Sequence, residues 1–271
     1  MLSDDRLRQM ARELCSVSGV RAVALGGSRA RGTHRPDSDV DLGLYFDGDV
    51  DRAALEDLAA RWTGGPVSVA SSGAWGPWVD SGAWLMVDGT AVDWILRDLG
   101  RVSEQCERAR RGEFSFHPQP GHPLGFLDVS YAGEVATCVP LCDDAGLLAW
   151  LSARVTPYPE PLRAAMLSSL WQVDLLLDGA EKGAKGADTA YVALCIATTA
   201  MLIAHAWHAL AGQWVTNEKA LVPGVSRLPV HTHGFSESMA SVLGTLGSTK
   251  EQLHRSIAAV REAPRPTAAW V

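Results

Sequence analysis

Two hydrophobic periods alternate along the first 143 residues. Residues 3–18 open with Ser3, Asp4 and Asp5 and then set Leu7, Met10, Ala11, Leu14 and Cys15 three or four apart. That spacing predicts an amphipathic helix, capped by Ser3 and stopped at Gly19. "VRAVAL" (20–25) predicts a buried strand running into Gly26-Gly27. In "DVDLGLYF" (39–46), Val40, Leu42 and Leu44 take one face of a strand, and Asp39 and Asp41 take the other. A helix is predicted over 52–62 and a short strand over 66–71. "AWLMVDGTAVDWIL" (83–96) predicts a hairpin around Asp88-Gly89, with Asp93 among apolar neighbours on its second strand. Residues 100–112 read as helix, and the prolines of "HPQPGHPLG" (117–125) argue against either regular element. Beyond residue 143 the alternation gives way to helical patterns at 145–154, 161–178, 187–211, 236–246 and 249–262, joined by connectors at 181–186 and 212–229. The expectation is an α/β (α+β) domain with a mixed sheet over 1–143 and an all-α helical bundle over 144–271.

Composition narrows the classes. With 47% hydrophobic residues the chain has enough apolar surface for packed cores. The polar N-terminus and the lack of a long unbroken apolar run predict no signal peptide, no membrane span and a cytoplasmic location. The greasiest stretch, 191–210, holds His205 and His208 and lacks basic flanks, so it reads as a buried core helix with two core histidines. The five cysteines sit mostly in apolar company and read as reduced core residues; Cys138 and Cys142 lack a second pair at zinc-ligand spacing. A net charge of −7 counts against a nucleic-acid partner.

The candidate chemistry gathers in "LGGSRARGTHRPDSDVDLGLYF" (25–46). A strand ending in Gly-Gly-Ser lets backbone N–H groups approach phosphate oxygens closely, with the Ser28 hydroxyl able to donate and Arg29 or Arg31 able to add charge. Asp39 and Asp41, two apart on a strand, point the same way; like charges so placed are favoured when a cation lies between them. Oxygen-only ligands suit Mg²⁺ or Mn²⁺ shared with a phosphate substrate.

Gly27-Ser28, ten intervening residues, Asp39-Val40-Asp41 and a third carboxylate in "AVDWIL" together resemble the polymerase-β-type nucleotidyltransferase superfamily. The two-domain architecture is further similar to its antibiotic (aminoglycoside- or lincosamide-modifying) members. This resemblance implies two divalent ions held by Asp39, Asp41 and Asp93, with Gly27, Ser28 and Arg29 at the phosphates of ATP or another NTP. An NMP would pass to a hydroxyl, and pyrophosphate would leave. It implies Asp93 as general base, with Glu218 of "NEK" (217–219) as the other candidate and Lys219 as a further phosphate contact.

The small-molecule acceptor comes first among the readings, and Glu134, Asp143, Asp144 and Asp174 are candidates to receive a cationic one. Trp75, Trp78 and the 117–123 loop are candidates for an acceptor pocket or a base-stacking wall. A toxin-type enzyme acting on tRNA or protein, and a non-catalytic nucleotide-binding or antitoxin-like module, are the alternatives. No residue pattern sets base preference or oligomeric state.

Overall fold

Ser3 accepts the Arg6 N–H at 3.3 Å and so caps α1 (Asp4–Cys15), which buries Leu7, Met10, Ala11 and Leu14 along one stripe. The computed structural model describes residues 2–267, which fall into two compact units. One comprises the residues up to 109 together with 114–156, the other 110–113 together with residue 157 onward.

In the first unit α1 is followed by β1 (Val20–Leu25), α2 (Gly27–Ala30), β2 (Val40–Phe46), α3 (Arg52–Thr63), β3 (Gly82–Val87), β4 (Thr90–Asp98) and α4 (Leu99–Arg111). Then come β5 (Phe116–Gln119), β6 (His122–Leu127), α5 (Ser130–Thr137), β7 (Val139–Cys142) and α6 (Leu147–Val155). Five strands form a mixed sheet in the order β3-β4-β2-β1-β7, with β2 and β4 parallel and the other neighbours antiparallel. Alternation assigns the faces: Val40, Leu42, Leu44, Leu85, Val87, Val92, Trp94 and Leu96 pack with the stripes of α1 and α3 into one core. The opposite face carries Asp41, Tyr45, Trp84, Met86, Asp93 and Arg97. The Asp88-Gly89 turn has positive φ at both residues (50° and 74°), as a tight primed turn requires.

Part of that opposite face is closed by a buried ion pair. Arg97, 4% exposed, donates from Nε and Nη2 to the two Glu134 oxygens at 2.7 and 2.8 Å. Burial alone would lower the Arg97 pKa, but the adjoining Glu134 carboxylate outweighs it and the guanidinium stays charged. Tyr45, opposite Arg97 in the β2–β4 register, is buried too, and desolvation, reinforced by Glu134, keeps its hydroxyl protonated.

Five expectations are corrected. Residues 66–71 form no strand; they reach the sheet through the Ala70 N–H to the Gly82 carbonyl at 2.8 Å. The 117–125 region, expected to be irregular, contains the β5–β6 hairpin. Both strands of this two-stranded sheet are edges, and Pro118 sits where the register shifts between His117 and Gln119, so its missing N–H breaks no ladder. Cys15 and Cys142, read as reduced, are joined as a disulfide between α1 and β7; their 127-residue separation hides the pairing from any spacing rule. The helix expected over 161–178 divides at Ser169-Leu170, and 181–186, expected as a connector, is helical through Lys185.

The second unit is helical: α7 (Glu160–Ser168), α8 (Trp171–Lys185), α9 (Thr189–Leu210), α10 (Leu221–Gly224), α11 (Phe235–Gly244) and α12 (Lys250–Arg261). Asp188 caps α9, and Thr249 and Gln252 close a capping box on α12. Among the described residues α9 is the one helix long and apolar enough to cross a membrane, but it packs against α7, α8, α10, α11 and α12. His205 and His208 lie on it as core residues. The His208 Nε2 donates to the Leu221 carbonyl at 3.3 Å.

Burial, with His208 adding to the push, takes the His205 pKa from the usual 6.5 down to about 3. An imidazole depressed in the fold takes up its proton on unfolding, so this contribution is full above pH 6.5 and is lost as pH falls toward 3. Thermal melts should therefore show a loss of stability between about pH 7 and about pH 4.5 that is smaller in His205→Gln. An unchanged pH dependence would show that His205 does not couple to unfolding.

Candidate active site

The carboxylates are positioned by strand register. Asp41 of β2 stands directly opposite Asp93 of β4 in the parallel ladder, and both are half-buried on the face away from the α1–α3 core. Side chains opposite one another on adjacent strands lie on the same face about 5 Å apart, so two carboxylates share one patch. Asp39 is exposed, one residue ahead of β2 and two before Asp41.

The glycine turn is hooked to this pair. The Gly26 N–H donates to the Asp41 carbonyl at 2.8 Å as the chain leaves β1. Gly27 then takes φ +60°, and a Cβ placed there would fall inside the Asp41 carboxylate, 2.6 Å from its Cγ. A residue with a side chain fails here twice, by conformation and by collision. Gly27 therefore lies against the Asp41 side chain.

The ten-residue spacer returns the chain to β2 and is held by its own first residue. Arg29 donates from Nε to the Asp39 carbonyl at 3.0 Å and from Nη2 to the Ser38 carbonyl at 2.7 Å. The Thr33 N–H meets the Ser28 carbonyl at 2.9 Å, and Ser38 Oγ accepts the Arg35 N–H at 2.9 Å. Arg29, named from sequence for the phosphates, holds the two carbonyls at the end of the spacer, next to the start of β2. Arg35 and Asp37 form an exposed ion pair at 3.3 Å.

Among the described residues no three His, Cys, Asp or Glu side chains stand together as a metal cage. The all-oxygen donor set of Asp41 and Asp93, with Asp39 two residues ahead of Asp41, fits a hard divalent cation that completes its shell with water and phosphate. Lys219 is exposed on the second unit, where its N–H is held by Asn217 Oδ1 at 2.7 Å; Glu218 is half-buried in the same turn.

Several acidic candidates have other partners. Glu134 is bound to Arg97, Asp143 caps α6 through the N–H groups of Leu147, Leu148 and Ala149, and Asp174 pairs with Arg265 at 2.8 Å. Trp78 stacks on His117 at 4.3 Å and helps to line a cavity of about 450 Å³ with Arg101, Gln105, Arg108 and Asp128. Sequence reasoning missed Trp84. It lies opposite Asp93 on β3 and is 66% exposed, with Trp75 stacked on it at 4.2 Å and 15°. The signal for it was present in "AWLMV", where both faces of the strand are apolar although only one can enter the core.

Residues 7–97 match the family model described as nucleotidyltransferase domain. These residues hold the Gly27-Ser28 turn and all three aspartates, so the match falls on the part of the chain that carries the candidate site. No curated protein sequence matches the chain. Among solved structures, a nucleotidyltransferase-like protein from Exiguobacterium sibiricum 255-15 is similar at 11% identity and a TM-score of 0.44, covering 94% of this chain and 73% of that one.

Gly27→Ala should cost the first unit about 2–4 kcal/mol by thermal melting, whereas Gly32→Ala should cost about 1 kcal/mol. Gly32 has a similar φ of +66° but nothing within 4 Å of its would-be Cβ. Equal losses would mean that conformation alone, without the Asp41 contact, requires the glycine.

Proposed function

We propose that the chain is a divalent-metal-dependent nucleotidyltransferase. It would move an NMP, AMP from ATP in the first instance, to a hydroxyl of a small molecule such as an antibiotic, with release of pyrophosphate. The supporting observation is the register that sets Asp41 beside Asp93 next to a glycine turn pressed on the Asp41 carboxylate.

The Gly27 and Ser28 N–H groups and the Ser28 hydroxyl would bind the leaving phosphates, an approach that a side chain at position 27 would block. Asp39, Asp41 and Asp93 would hold Mg²⁺, or Mn²⁺ in its place, and the bound ions would offset phosphate charge and acidify the acceptor hydroxyl. Arg29 would keep the Asp39 end of the spacer from drifting away from Asp41. Asp93, on the side of Asp41 away from the glycine turn, would take the acceptor's proton. The acceptor oxygen bonds to the α-phosphorus as the bond to the pyrophosphate oxygen breaks.

Asp41→Asn should reduce Mg²⁺-dependent pyrophosphate release by about 10³-fold or more, with the circular dichroism spectrum retained. Chelation of the wild-type chain should do the same, reversibly. Turnover that survives both would remove the metal from the reading. Asp93→Asn should reduce turnover much more than it weakens ATP binding by calorimetry; the reverse pattern would take Asp93 off the acceptor side.

A further inference from the structure

The sheet carries a third member in the Asp41–Asp93 row. Trp84 of the edge strand β3 is paired with Asp93, so Asp41, Asp93 and Trp84 follow one another across β2, β4 and β3 on one face. The neighbours of Trp84 along the strand, Ala83 and Leu85, enter the core, while Trp84 is 66% and Met86 59% exposed. Apart from its stacking on Trp75, this large indole beside two carboxylates buries little apolar surface.

This indole is also held in place. Trp75 stacks on it at 4.2 Å, and the Trp75 ring edge lies against Gly82, where a Cβ would stand 2.9 Å from that edge. The Trp75 loop is clamped by Gln119, 7% exposed, whose Nε2 donates to the Trp75 carbonyl at 2.8 Å and whose Oε1 accepts the Trp78 N–H at 2.9 Å. With one face of Trp84 covered by Trp75, its exposed surface is the other face and the ring edge.

We infer that this indole pair seats the acceptor: a ring-bearing alcohol whose flat apolar face lies on Trp84 while its hydroxyl is presented at Asp93. The inference rests on the nucleotidyl-transfer reading above, because it takes its direction from in-line displacement. Entering and leaving oxygens lie on opposite sides of the phosphorus. Strand order puts the glycine turn at the β1 side of Asp41 and Trp84 beyond Asp93, about 10 Å from Asp41 at about 4.8 Å per strand. If the pyrophosphate leaves toward Gly27, the hydroxyl arrives from the Trp84 side. Recognition by ring stacking also fits the acidic inventory, since three of the four candidates, Glu134, Asp143 and Asp174, are engaged with Arg97, α6 and Arg265.

Saturation-transfer NMR on the full chain with Mg²⁺ and a non-hydrolysable ATP analogue tests this. The probes are methyl glucoside, streptamine and benzyl alcohol as carbohydrate, aminocyclitol and aryl rings, with glycerol as the ringless alcohol. At least one ring probe should give a signal that glycerol does not, and the responding arm identifies the ring class. Trp84→Ala should reduce that signal by about fivefold or more, and Trp84→Phe should restore part of it. The calorimetric Kd of the ATP analogue should change less than about twofold in both variants. A ring signal that persists in Trp84→Ala, or no ring signal from the intact chain, overturns the inference. So does a tenfold or larger rise in the analogue's Kd, which would make Trp84 a nucleobase platform. Failure of the analogue to bind the intact chain contradicts the nucleotidyl-transfer reading itself and is read in a separate measurement.

Discussion

Parallel pairing of β2 with β4 is the constraint on which the site depends. It aligns Asp41 with Asp93, and with the period of two along each strand it fixes which neighbours can join them on that face. A slip of one residue would send Asp93 into the α1–α3 core and turn Val92 outward, so burial of Val92, Trp94 and Leu96 enforces the register of the carboxylates. The glycine turn is subordinate to the same pairing: Gly26 is bonded to the Asp41 backbone, and Gly27 is fitted against its side chain.

Behind the open part of this face the sheet is closed by charge. Arg97 and Glu134 form a paired, largely buried contact beside Tyr45, which ties α5 to β4. Such a pair adds little net stability over an apolar contact but is costly to break, so it favours one placement of α5. The Arg29 clamp works similarly on the spacer, using a guanidinium to hold backbone carbonyls.

What sequence could reveal follows the range of each interaction. Asp39 and Asp41 were legible because alternation within one strand assigns their face, and the Asp88-Gly89 hairpin because its turn chemistry is local. Asp93 needed the resemblance as well, since one strand's pattern does not name its partner. The Cys15–Cys142 disulfide and the stacking of Trp75 on Trp84 join segments that no local rule connects, whereas the β5–β6 hairpin closes locally at Pro120-Gly121 and was hidden by its prolines. The two carbonyls that Arg29 holds were not legible either, because charge and position in the sequence do not name a backbone partner.

The central claim is that an α-phosphoryl group leaves ATP with its nucleoside attached. Incubation of the chain with Mg²⁺, a panel of hydroxylated antibiotics and ATP labelled at either the α- or the γ-phosphorus tests it most directly. The account predicts that the α-label enters the acceptor with the mass of one nucleotide and that the γ-label is recovered only in pyrophosphate. Transfer of the γ-label to the acceptor, or its release as inorganic phosphate with no acceptor modified, would contradict it.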